Sequence, residues 1–350
     1  MNVANAVTTS DAKDVADVAQ AAEKALRRAR LLVGPELRKA VQRLDDPVRT
    51  VAGFHFGWWG PTGEPVMADT GGDMCSTLVL TCAEALGADP RSALAPAAAI
   101  DLVHNSWLLH DDVMECALTR RGRQATWAVF GRSQAILAGD ALLVLGMGSL
   151  TGHTHIAEIS AAMLDLISWQ GSDLAFDERF DLQPCGSEVE ERLTASSGKV
   201  GALYGGACAL GAVSAGADPA TTAALRQFGR RIGLAAQFVD DLRAMRESGA
   251  RSLRKRSLVV AAALSSCTRA GRRLGELFGR PERLSPEEKA EAARLVEKAG
   301  GPRWAEQAVR WQREQALRCL AEADLAPAPA AELAALADLV TREGYRRGEM

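Results

Sequence analysis

The fold of this chain turns on Ala97–Thr126, AAAIDLVHNSWLLHDDVMECALTRRGRQAT. Ile100, Val103, Trp107 and Leu108 recur at helical spacing, and the same helix carries Asp111, Asp112 and Glu115 toward the interior. Residues four apart share a helix face, so Glu115 follows Asp111 on it, with Trp107 one turn and His104 two turns below. Carboxylates on an otherwise apolar face cost free energy unless a cation neutralises them. Hard oxygen ligands clustered in this way suit Mg²⁺, which bridges a few carboxylates to a substrate phosphate. Arg120 and Arg121 follow at once, and guanidinium forks grip phosphate well. A solvated acidic helix cap is the plainer reading of the same residues, and a second acidic pair downstream weakens it.

That second pair closes GRRIGLAAQFVDDLRAMRES, Gly229–Ser248. Asp240 and Asp241 end an apolar helical run, and Gln237 lies four residues before Asp241 on its face. Two such pairs, each ending a buried helix face, would meet across a helical bundle and hold metal between them. Between them, SSGKVGALYGGACALGA (Ser196–Ala212) carries one cation, Lys199, in a small, apolar helix. A buried ammonium asks for a phosphate or carboxylate partner, unless its head reaches solvent past the helix end. In SWQGSDLAF, Gln170 and Asp173 are a polar pair at i, i+3, either an ordinary buried hydrogen-bond pair or part of the site.

Composition sets the frame. Of 350 residues, 47% are hydrophobic but only 5% aromatic, with many alanines and leucines and few β-branched runs, which reads as all-α. A net charge of −3 gives no support for nucleic-acid binding. Seven cysteines form no CxxC pair, which fits reduced thiols in a cytoplasmic protein better than a disulfide framework. The N-terminus has no basic start followed by an apolar block, and no run is long and apolar enough to span a membrane. Glycine-rich AGDALLVLGMGSL follows no strand, so it is not a nucleotide loop. His153 and His155 are two apart on a helix and do not face each other, which argues against zinc.

Along the chain, residues 1–11 are polar and expected to be disordered, and 12–350 form one domain. Helices are expected over Asp14–Leu44, Asp73–Leu86, Ser133–Leu150, His153–Leu174, Glu188–Ala215 and Thr221–Arg246. Further ones fit Leu253–Leu274, Pro286–Lys298, Arg303–Ala323 and Ala330–Tyr345. The loop Phe54–Gly72 is rich in aromatics, and its Trp58 and Trp59 fit packing better than a mobile lid. Gly122–Arg132 reads as a second loop.

Together these stretches resemble the trans-isoprenyl diphosphate synthase (polyprenyl synthetase) family, particularly short-chain actinobacterial-type enzymes making geranylgeranyl or farnesyl diphosphate. The likeness runs from about Phe54 to Leu264. It rests on LLHDDVMECALTRRGRQATW, FGRSQAILAGDALL, WQGSDLAF, SSGKVGALYGGACALGA and GLAAQFVDDL. The resemblance implies an isoprenoid synthase fold, a single bundle of roughly ten to twelve helices around a central cavity, usually as a homodimer. It also implies Mg²⁺ held by two Asp-rich motifs against an allylic prenyl diphosphate. By position, Asp111, Asp112 and Glu115 match the first motif, and Asp240 and Asp241 the second. Arg120, Lys199 and Gln237 match contacts to the allylic diphosphate. His104 and Arg121 match positions that help bind isopentenyl diphosphate, and Trp107 sits where the family limits chain length.

The departures from the family pattern point elsewhere. Where the family has Gly-Lys-x-x-Arg-Pro for isopentenyl diphosphate, this chain reads Gly71-Gly72-Asp73-Met74-Cys75-Ser76, without either cation. At ~1.5–3 kcal/mol for each charge-assisted bond, that loss would weaken the site by orders of magnitude. The segment after the second motif is shorter than in the family and lacks the loop lysine, and Val200 replaces the usual Thr. On this reasoning the first reading is a Mg²⁺-dependent class I terpene synthase or cyclase. It would ionise farnesyl or geranylgeranyl diphosphate and quench the carbocation without isopentenyl diphosphate. The alternative is a short-chain trans-prenyl diphosphate synthase. Behind these stand a prenyltransferase to a non-isoprenoid acceptor and a non-catalytic partner subunit, the latter disfavoured by the intact buried carboxylates.

Overall fold

The computed structural model describes residues 3–66, 74–150, 153–178, 199–248, 257–279 and 284–342. These fold into fourteen α-helices and one two-stranded ribbon. The first half holds α1 (Val3–Val41), α2 (Val48–His55), α3 (Met74–Ala85), α4 (Leu94–Met114), α5 (Thr126–Phe130), α6 (Arg132–Gly148) and α7 (His153–Glu178). The second holds α8 (Lys199–Ser214), α9 (Pro219–Ser248), α10 (Leu258–Ser265), α11 (Arg269–Phe278), α12 (Pro286–Lys298), α13 (Gly301–Ala321) and α14 (Pro327–Val340). The expected all-α architecture is present, with more helices than the ten to twelve expected.

The differences have local causes. Helix α1 begins at Val3, inside the segment expected to be disordered, because no Gly or Pro interrupts the Ala-rich sequence before Gly34. The expected helix Leu253–Leu274 is two elements, α10 and α11. Thr268 takes the N-cap of the second, its hydroxyl accepting from Gly271 N at 3.0 Å. The expected loop 122–132 contains the ribbon's second strand and α5. Trp58 and Trp59 are packed: Trp58 stacks on Phe56 at 4.4 Å under the Arg38 guanidinium, and Trp59 Nε1 donates to Thr50 O.

Helix α8 is the hub. Every residue from Val200 to Ala212 is buried, as expected of a helix apolar on all sides. It packs against α3, α4, α7 and, most extensively, α9. The α8–α9 approach depends on glycine: a Cβ at Gly229 would lie 2.2 Å from Tyr204 O, and one at Gly233 2.7 Å from Val200 O. Helices α9 and α13 pass through two apolar clusters. Phe228 and Ile232 belong to the main core, and Phe238 and Leu242 to a second one with α10–α13. Arg28 ties α1 to α3 and α14 through Glu84 and Glu332 at 2.5 and 2.8 Å. Among the described residues no helix is long and apolar enough to cross a membrane.

Candidate active site

Helix α4 delivers the first acidic motif. Asp111 and Asp112 are buried in its last turn, and Glu115 is the half-buried C-cap residue. Burial raises the Asp112 carboxyl, with Asp111 and Glu115 adding like charge, while Arg120 opposes the shift. Arg120 forks this carboxylate, its Nε 3.0 and 3.3 Å from the two oxygens. In the structure its guanidinium is the counter-charge of Asp112.

Two residues beyond the ordinary helix end explain how the arginines are held. Thr119–Arg120 pairs antiparallel with Arg123–Gln124, leaving Arg121 and Gly122 as a two-residue loop. Both have positive φ, 52° and 69°, the mark of a type I′ hairpin turn. Gly suits such a turn and arginine does not; left-handed backbone costs a non-Gly residue roughly 1–2 kcal/mol. Strain of this kind concentrates at working sites. Arg121 Nη2 donates to Asn105 Oδ1 at 3.4 Å.

Around Asn105 the structure gathers a second group that sequence reasoning missed in part. His104, next in the chain, places Nδ1 4.0 Å from Cys75 Sγ at the start of α3. One turn before Asn105, Asp101 is buried and accepts from Ser76 N at 3.0 Å. His55, at the end of α2, is buried with Nε2 3.2 Å from Asn105 Oδ1 and Nδ1 3.4 Å from Thr126 Oγ1. Burial, reinforced by Arg121, Arg120 and His104, holds its imidazole well below the usual range. Residues from α2, α3, α4, α5 and the hairpin thus meet around Asn105. Gly71, Gly72 and Asp73 lie outside the described residues.

The second acidic motif sits on α9. Asp241 accepts from Gln237 Nε2 at 3.1 Å and from Leu258 N at 2.7 Å, so it also anchors the start of α10. Burial pushes its carboxyl up to about 6, and its hydrogen bonds to Leu258 and Gln237 oppose the shift. Asp240 pairs with Arg243 at 3.0 Å. Lys199 opens α8, with its side chain outside the described residues, as is that of Asp173. Gln170 is buried with both amide atoms unpartnered, so it makes no ordinary buried pair among the described residues. Trp107 is buried with its Nε1 likewise unpartnered.

The carboxylate donor set is of the hard-oxygen type that Mg²⁺ takes. Among the described residues no three His, Cys, Asp or Glu side chains stand together as a ready metal cage.

Comparison with known proteins identifies the family. The polyprenyl synthetase family model matches residues 63–296. A geranylgeranyl diphosphate synthase of Mycobacterium tuberculosis is 36% identical over 96% of this chain and 98% of its own length. A (2E,6E)-farnesyl diphosphate synthase of Mycobacterium bovis is 37% identical over 88% and 90%. The crystal structure of a polyprenyl synthetase from Streptomyces coelicolor superposes with a TM-score of 0.82 at 36% identity, covering 91% of this chain and 99% of that one. These relatives are named for diphosphate synthesis, which overturns the expectation of a cyclase working without isopentenyl diphosphate. Physically, that expectation counted the cations missing from one segment, while the region around Asn105 is assembled from several and keeps His104 and Arg121. The chain is an enzyme with the isoprenoid synthase fold and belongs to the polyprenyl synthetase family.

Proposed function

We propose that this enzyme is a Mg²⁺-dependent short-chain trans-prenyl diphosphate synthase, joining an allylic prenyl diphosphate to isopentenyl diphosphate. One observation carries the reading: near full-length likeness to relatives named geranylgeranyl and farnesyl diphosphate synthases, with both acidic pairs present. Asp111, Asp112, Glu115, Asp240 and Asp241 would hold the metal. Bound Mg²⁺ supplies the charge that stabilises diphosphate as a leaving group. Arg120, Lys199 and Gln237 serve the allylic diphosphate, and Arg120 stands ready beside Asp112. His104 and Arg121 bind the five-carbon diphosphate, whose double bond attacks the allylic carbon as its carbon–oxygen bond to diphosphate breaks, and loss of a proton from the five-carbon unit restores a double bond. Trp107, one turn below Asp111, limits how far the growing chain descends.

The same reading includes a homodimer and a cytoplasmic setting. In support of the first, Leu137 and Val144 of α6 and Leu164 and Ile167 of α7 are all more than half exposed, leaving apolar helix faces for a second copy to cover. In support of the second, Cys75, Cys82, Cys116, Cys208, Cys267 and Cys319 form no disulfide among the described residues. The test is incubation with Mg²⁺ and geranyl, farnesyl or geranylgeranyl diphosphate, with and without isopentenyl diphosphate. A longer prenyl diphosphate, formed only when isopentenyl diphosphate is added, is the expected product. Hydrocarbon or alcohol formed in its absence refutes the synthase reading.

A further inference from the structure

Arg121 occupies a backbone position that favours glycine, and the structure shows what its side chain meets there. Its guanidinium reaches Asn105 Oδ1, and the same oxygen faces His55 Nε2 at 3.2 Å. Asn105 is itself fixed. It is 2% exposed, and its Nδ2 donates to Asp101 O at 2.8 Å, which orients Oδ1 toward Arg121 and His55. Because Oδ1 only accepts, His55 carries its proton on Nε2, leaving Nδ1 to accept from the Thr126 hydroxyl. A chain of buried hydrogen bonds therefore runs Thr126–His55–Asn105–Arg121. It links the start of α5, the end of α2 and the inner face of α4 to the hairpin tip. By the resemblance Cys75 stands where the family carries arginine, and the backbone N–H of the next residue, Ser76, is committed to Asp101. Fewer cations in that segment place more of the diphosphate grip on Arg121.

We infer that His55 and Asn105 are positioning residues which aim the Arg121 guanidinium at the isopentenyl diphosphate. The inference rests on the synthase reading and deepens it. Neither residue touches substrate in this scheme; they act through Arg121, so their loss falls on one substrate and not on the other.

The full-length enzyme is assayed with Mg²⁺, varying isopentenyl diphosphate at saturating farnesyl diphosphate and then the reverse. H55L and N105L are expected to raise KM for isopentenyl diphosphate about tenfold, the equivalent of one good hydrogen bond. KM for farnesyl diphosphate stays within twofold. H55Q, which retains a donor toward Asn105, recovers most of the loss. T126V, nearly isosteric, raises KM for isopentenyl diphosphate two- to fivefold and keeps the test open should H55L not fold. An unchanged KM for isopentenyl diphosphate in T126V and in the folded H55L or N105L protein overturns the inference and leaves the synthase reading standing. Equal loss for both substrates in H55L and H55Q alike overturns it too, as the sign of a merely structural role. Wild-type enzyme that forms no longer diphosphate overturns the synthase reading, and the inference with it.

Discussion

Asp112 has a side chain only 2% exposed, and Arg120, itself 30% exposed, is the cation that forks it. Replacing Arg120 by Gln keeps most of the volume and removes the charge. Stranding one member of a buried pair costs about 3–5 kcal/mol, and water reaching Asp112 past the shorter side chain brings this to about 2 kcal/mol. In a chain of this size that is a fall in Tm of roughly 4 °C. The double variant D112N/R120Q removes both charges and should recover at least half of the fall. Thermal unfolding at pH 7 measures both. The pH dependence has a defined sign. Burial raises the Asp112 carboxyl, so its charged form is the penalised one. Losing Arg120 raises it further, and the R120Q deficit therefore shrinks as pH falls from 7 toward 5 and grows again as pH rises. An R120Q protein as stable as wild type, or a double variant no better than the single one, would refute the reasoning.

Gly229→Ala forces a methyl to within 2.2 Å of Tyr204 O, backbone that cannot swing aside, so stability should fall by about 2 kcal/mol or more in urea unfolding. Trp107→Ala opens the wall one turn below Asp111 and should lengthen the main product by at least one five-carbon unit, read by mass spectrometry. It also costs ~3 kcal/mol of stability, with no hydrogen bond lost because the indole N–H has no partner. His55 is neutral in the folded chain, held well below its usual pKa by burial, so the unfolded chain binds the extra proton near pH 6. Wild-type stability should therefore rise with pH up to about 6.5, by at most ~1.4 kcal/mol per pH unit, and the part of that slope absent from His55→Gln measures it.

Elements with strong local signals were legible at the sequence level. Pro286–Lys298 has the expected bounds because Ser285 and Glu288 form a reciprocal capping box around Pro286. Helix α4 follows from its apolar period. The hairpin at 119–124 carried one cue, Gly122, but strands of two residues have no period to read. The split between α10 and α11 was marked only by Ser266-Cys267-Thr268, whose capping role shows once Gly271 N is seen to bond Thr268. Both acidic pairs stood out because charge on an apolar face is a contradiction visible in one dimension. The bond partners of the site did not, since His55 and Asn105 are fifty residues apart.

That difference explains the one functional expectation that failed. Counting cations along Gly71–Ser76 treats a binding site as the sum of a segment, whereas a diphosphate is gripped by whatever the fold brings to it. The helix bearing Asp101, His104 and Asn105 runs beside the start of α3, and Asp101 holds Ser76 N at 3.0 Å. A hairpin turn strained by ~1–2 kcal/mol then adds Arg121 to the same place. On the proposed reading, the strain held at Arg121 is offset by the contact its guanidinium makes with diphosphate. A costly arginine kept at that turn therefore supports the proposed grip on isopentenyl diphosphate despite the missing basic segment.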